Sequence, residues 1–108
     1  MAGEKRLQDK ILSDLRSFGK YIVVAKIMKT GDNGVPDIFF TTLFTGGVFI
    51  EVKNSGKTPG KLQLRMIKKL NRTGVKAYAC STVNQWKSIK YKIGLDEKNI
   101  KDAASLFK

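Results

Sequence analysis

The sequence predicts an α/β fold in which a mixed β-sheet is flanked by helices. Apolar residues recur at helical spacing near the start of the chain and again in its middle. Short runs rich in β-branched and aromatic residues lie between and after these stretches, bounded by glycine-containing turns. The resulting order is helix, three strands, helix, strand, helix, which fits a layered α/β architecture. A length of 108 residues, without a repeat, a low-complexity tract or a linker, reads as a single domain spanning 1–108.

The elements follow in order. Leu7, Ile11, Leu15 and Phe18 share one face of a helix expected over residues 4–18, with Gly19 as its stop. Residues 21–28 read as a strand, and the run Thr30, Gly31, Asp32, Asn33, Gly34 as a turn or loop. Residues 36–44 read as a second strand and 48–53 as a third, joined into a hairpin by Thr45, Gly46 and Gly47. A Gly/Pro/Lys loop over 55–60 leads to a helix at Lys61–Arg72 with Leu62, Met66, Ile67 and Leu70 on its apolar face. Residues 71–74 end that helix, and 75–79 form a fourth short strand. Val83–Ile93 reads as helical, with Trp86, Ile89 and Ile93 on one side, and 96–107 as a final helix.

Composition narrows the chemistry. There are 21 Lys and Arg against 9 Asp and Glu, a formal charge of +12. Such a field draws in polyanions, nucleic acid before an anionic membrane surface. No apolar run approaches the length of a membrane span, and the charged start MAGEKRLQDK lacks a signal-peptide core. The expected compartment is therefore the cytoplasm. The single cysteine, Cys80, follows an apolar stretch and reads as a buried structural thiol. The absence of histidine removes Ser-His-Asp triads, zinc fingers and zincin sites from this chain. An enzyme with this composition works through carboxylates, lysines, hydroxyls or amides.

The placement of acid is the informative feature. Between Asn33 and Leu95 the only acidic residues are Asp37 and Glu51, among eleven lysines and arginines. Carboxylates on a basic face repel the phosphates that face attracts. Both stand among apolar neighbours, in PDIFF and VFIEVK, where a lone charge is costly unless it is paired or binds a metal. A hairpin turning at Thr45, Gly46 and Gly47 brings the start of one strand, with Asp37, to the end of the next, with Glu51. A divalent cation relieves the repulsion of two such carboxylates, and oxygen-only ligands suit Mg²⁺ or Mn²⁺. Lys53, two residues after Glu51, points to the same side of its strand. There it can meet an attacking water or the charge developing on a phosphate. Taken singly, Asp37 is better explained as a turn cap and Glu51 with Lys53 as a solvated pair. Together, in this order and in so basic a chain, they favour a nuclease.

The ordered motifs resemble the VRR-NUC family of the PD-(D/E)XK nuclease superfamily. The likeness runs over E-x-x-L-Q at Glu4 to Gln8, G-x-P-D-I at Gly34 to Ile38 and F-I-E-V-K at Phe49 to Lys53. It continues through G-K-T-P-x-x-x-Q at Gly56 to Gln63 and L-x-x-x-G at Leu70 to Gly74. The spacing from Pro59 to Gln63 is longer than the P-x-Q arrangement expected of the family. The resemblance implies a restriction-endonuclease-like core, αβββαβ plus a C-terminal helix. It implies that Asp37, Glu51 and the Val52 backbone carbonyl bind metal and that Lys53 positions and activates water. It further implies Glu4 as an outer or second-metal acid, and Gln63 as a residue orienting water or phosphate. Small stand-alone members, often phage-encoded, imply a homodimer acting on branched DNA such as four-way (Holliday) junctions.

The expected function is therefore a Mg²⁺- or Mn²⁺-dependent DNA endonuclease leaving 5′-phosphate and 3′-hydroxyl ends. Lys57, Lys61, Arg65, Lys68 and Lys69 form its expected DNA track. Gly56, Lys57 and Thr58 suggest a phosphate loop, but that pattern needs a glycine where Glu51 stands. Phe39, Phe40, Phe44 and Phe49 are expected to pack the core rather than stack on bases. Two rivals are a non-catalytic nucleic-acid-binding module and a basic RNA-binding protein of ribosomal kind. Neither accounts for two isolated acids kept in strands.

Overall fold

A computed structural model describes residues 2–28 and 34–106. Helix α1 (Ala2–Arg16) and a 3₁₀ turn (Gly19–Tyr21) precede strands β1 (Val23–Lys26), β2 (Ile38–Thr42) and β3 (Gly46–Val52). Helix α2 (Lys61–Arg72), strand β4 (Lys76–Cys80) and helices α3 (Val83–Ile93) and α4 (Glu97–Ser105) complete the chain. The sheet runs β1-β2-β3-β4, antiparallel for the first two pairings and parallel between β3 and β4. The parallel pairing follows from the α2 crossover between the two strands. Among the described residues, no helix is long and apolar enough to cross a membrane.

Strand alternation divides the sheet into two faces. Ile38 and Phe40 from β2, and Val48, Ile50 and Val52 from β3, point to one face and are fully buried. Leu7, Ile11, Leu12 and Leu15 of α1 cover them together with Trp86, Ile89 and Ile93 of α3 and Ile100 of α4. Each such side chain contributes roughly 1.5–3 kcal/mol on full burial. Trp86 meets the Phe40 ring edge-on, with centroids 6.4 Å apart. Its indole N–H donates to Asp14 Oδ2 at 2.8 Å, and Lys90 Nζ donates to the same oxygen at 2.7 Å. One α1 carboxylate thus joins α3 twice. Burial alone raises the Asp14 pKa, but the hydrogen bonds from Lys90 and Trp86 and the charges of Lys90 and Lys10 outweigh it and hold it below its ordinary value.

The other face carries Phe39 and Phe49, stacked at a tilt with centroids 4.9 Å apart, and then Glu51. Helix α2 lies on this side, anchored at its end by Asn71, whose amide brackets the Ala77 backbone at 3.1 and 2.9 Å. Cys80 is buried, and that burial pushes its thiol pKa up, as suits a structural cysteine.

Several expected boundaries move. Strand β2 stops at Thr42 rather than 44 because Thr42 Oγ1 accepts the Thr45 N–H at 2.9 Å, starting the turn early. Strand β1 is shorter than expected because the 3₁₀ turn takes Tyr21. The two helices read after β4 are both present, the first with its expected bounds, and they are divided at Gly94, which adopts φ 69° as the cap of α3. A methyl group there would also sit 2.5 Å from Phe44 Cε1. The loop expected over residues 30–33 and the final Phe107 lie outside the described residues.

Candidate active site

Asp37 stands one residue before β2, in a bend rather than within the expected strand. Pro36 precedes it and cannot donate to a sheet ladder, so regular pairing begins only at Ile38. The Asp37 backbone remains registered, since its carbonyl accepts the Ile27 N–H at 2.7 Å. Its side chain then takes the place of a missing strand partner: Oδ2 accepts the Val52 N–H at 2.8 Å. A strand residue directs its N–H and C=O to the same side. The Val52 carbonyl therefore faces the Asp37 side of β3.

Glu51 is on the opposite sheet face from Val52, and its side chain is only 1% exposed. Its Oε2 accepts Gln63 Nε2 at 3.0 Å and lies 3.7 Å from Lys53 Nζ. A buried carboxylate is sustained by such charge-assisted partners. Lys53 is partly exposed, so its ammonium reaches from the buried acid toward solvent. Its own backbone N–H donates to the Cys80 carbonyl at 2.9 Å, which fixes the end of β3 against β4.

Gln63 reaches this cluster despite the longer loop. Its Oε1 accepts the Gly60 N–H at 2.8 Å, capping the start of α2, while its amide nitrogen holds Glu51. The helix start is set by Gly34, whose φ is 89° and where a methyl group would lie 2.6 Å from the Leu62 carbonyl oxygen. Only glycine permits that approach. The expected apolar face of α2 is corrected here. Leu62 is 50% exposed, and Gln63 occupies the inward position in phase with Met66, Ile67 and Leu70.

Lys61, Arg65, Lys68 and Lys69 are exposed. At about 100° per residue they fall on a single stripe opposite the inward face. Lys57 is exposed in the preceding loop and, with Lys53, lines a cavity of about 130 Å³ beside Ala79. Glu4 is half-buried in the first turn of α1. That turn abuts the loop after β3, since a methyl group at Gly3 would lie 3.5 Å from Asn54 Oδ1. Among the described residues, no three Asp, Glu, His or Cys side chains form a set that could hold a metal. Glu4 is thus not drawn into one cluster with Asp37 and Glu51.

No family model matches the sequence, and no curated protein matches it. A solved structure described as a VRR_NUC domain superposes with a TM-score of 0.70, covering 81% of this chain and 92% of its own. The two are 23% identical in sequence, a likeness of fold. The mixed sheet with flanking helices is thus the architecture that the motifs implied.

Proposed function

We propose that this protein is a divalent-metal-dependent DNA endonuclease of the PD-(D/E)XK type, with Asp37, Glu51 and Lys53 at its centre. The observation that carries this reading is Glu51. It is a buried carboxylate on a strongly basic molecule, held by Lys53 and Gln63, one residue from the amide that Asp37 binds. A carboxylate with a purely structural task needs no such neighbour as Asp37. The likeness to a VRR_NUC domain supports the same reading.

The donor set fits Mg²⁺ or Mn²⁺: two carboxylates and the Val52 carbonyl, all hard oxygens, suit a small ion that retains several waters. When bound, such an ion polarises the phosphate and lowers the pKa of the attacking water. The rest belongs to the protein. Asp37 and Glu51 hold negative charge at the ends of adjoining strands, each oriented by a hydrogen bond. Lys53 supplies fixed positive charge where the transition state gains negative charge. Gln63 holds Glu51 in position, and Glu4 serves as an outer acid. Lys57, Lys61, Arg65, Lys68 and Lys69 grip flanking phosphates, and the products carry 5′-phosphate and 3′-hydroxyl ends.

The substrate proposed is branched DNA, a four-way junction foremost, bound by a symmetric homodimer. Two copies related by a two-fold axis present two sites to two equivalent strands. Plasmid nicking in Mg²⁺ or Mn²⁺ that disappears in EDTA tests the chemistry. Cleavage rates on junction, flap and linear duplex, with the mass from light scattering, test the substrate and assembly. A monomer that cuts linear duplex as fast as a junction contradicts the dimer and branch assignments.

A further inference from the structure

We propose that an unpaired strand leaving the cleavage site passes over the carboxyl ends of β3 and β4 into a basic cleft between α1 and α3. This rests on the nuclease reading and extends its substrate to branched DNA with an unpaired arm, such as a flap; a fully paired four-way junction lacks such an arm. The cleft is a cavity of about 290 Å³, separate from the Glu51 cluster. Gly3, Arg6, Leu7 and Lys10 line one wall; their spacing places them on one face of α1. Val83, at the start of α3, and Ser55 close the other sides.

Continuity with the site is the first argument. Ser81 lines both this cleft and the smaller cavity that holds Lys53 and Lys57. It forms a saddle between them, pinned by Gln85 Oε1, which accepts the Ser81 N–H at 2.7 Å and its hydroxyl at 3.0 Å. The two cavities therefore adjoin at a residue held in place.

Chemistry is the second argument. The cavities on the two sides of Ser81 are lined by Lys53, Lys57, Arg6 and Lys10, with no carboxylate in either lining. Leu7 and Val83 give the cleft an apolar floor. Cations beside an apolar floor suit a sugar-phosphate chain with its sugars or bases set inward. The path bends around the end of the sheet into a slot between two helices. A duplex is too broad to enter a cavity of about 290 Å³ between two helices. One strand can.

The test is binding by fluorescence anisotropy in EDTA, so that cleavage does not enter. The probes are a blunt duplex and the same duplex with an unpaired 3′ or 5′ tail. The wild-type protein binds one tailed duplex more tightly than the blunt one. Arg6→Gln with Lys10→Gln removes that increment and lowers the salt slope on the tailed probe by about 1.4, near 0.7 per single-stranded phosphate contact. Blunt-duplex affinity is unchanged. Val83→Glu, whose carboxylate suits the first turn of α3 and preserves folding, reproduces the loss. Equal weakening on blunt and tailed probes, or no tail preference in the wild type, overturns the proposal. The nuclease reading fails separately: tail preference without any cleavage in Mg²⁺ contradicts the catalytic assignment alone.

Discussion

Gln63 and Glu51 meet across the gap between α2 and β3, with Nε2 donating to Oε2 at 3.0 Å. The other end of the same amide caps α2 through the Gly60 N–H. One side chain thus fixes both the helix start and the buried acid. Gln63→Ala is expected to raise the metal concentration for half-maximal cleavage, with a combined loss in metal affinity or activity of about 10- to 100-fold. Thermal melting falls only modestly. A variant that melts lower but keeps the wild-type metal requirement would show a capping role alone.

Lys53 lies 3.7 Å from Glu51 Oε2 and extends toward solvent. If it stabilises charge in the transition state, Lys53→Ala lowers turnover far more than DNA affinity. Single-turnover rates and Kd measured on one substrate separate the two. Normal turnover with weakened affinity moves Lys53 to the binding surface.

The sequence made much of this site legible, and the reasons are local. Strand alternation placed Lys53 on the Glu51 side, and the hairpin brought Asp37 to the same end, as observed. Gln63 also carried a local signal: it is in phase with Met66, Ile67 and Leu70, so an inward position could have been read from helical spacing. The approach of Gly34 to Leu62 was not legible, because it joins segments distant in sequence through backbone packing alone. Nor was the bond from Trp86 to Asp14, which links residues 72 positions apart. The bend at Asp37 is not legible because the apolar run after it reads as continuous strand.

The basic stripe of α2 makes a separate prediction. Lys68→Glu or Lys69→Glu weakens binding to all duplex sequences alike, since phosphate contacts carry no base information. The logarithm of affinity falls steeply with the logarithm of salt, and the slope shrinks by about one unit per lost contact. Titrations from low to moderate salt measure it. A flat response assigns the charge of +12 to another partner.

Asp14 links acid stability to the α1–α3 contact. Its pKa is lowered in the folded protein, so its contribution is present above the ordinary value of 3.8 and is lost as pH falls through the folded value. Denaturant unfolding at neutral pH and near pH 3 shows a larger acid-side loss for the wild type than for Asp14→Asn. Because the side chain is about one-third exposed, solvent screening keeps the difference modest. Identical pH dependence in the two proteins contradicts the linkage.

The most direct measurement compares cleavage and binding by Asp37→Asn. An asparagine oxygen can still accept the Val52 N–H, so the bond at 2.8 Å and the fold survive the change. The charge needed to hold a divalent cation does not. The account predicts that nicking of plasmid DNA in Mg²⁺ is abolished, while DNA affinity in EDTA stays at or slightly above the wild-type value. Cleavage at the wild-type rate by highly purified Asp37→Asn protein would contradict the assignment of Asp37 and the metal-dependent reading built on it.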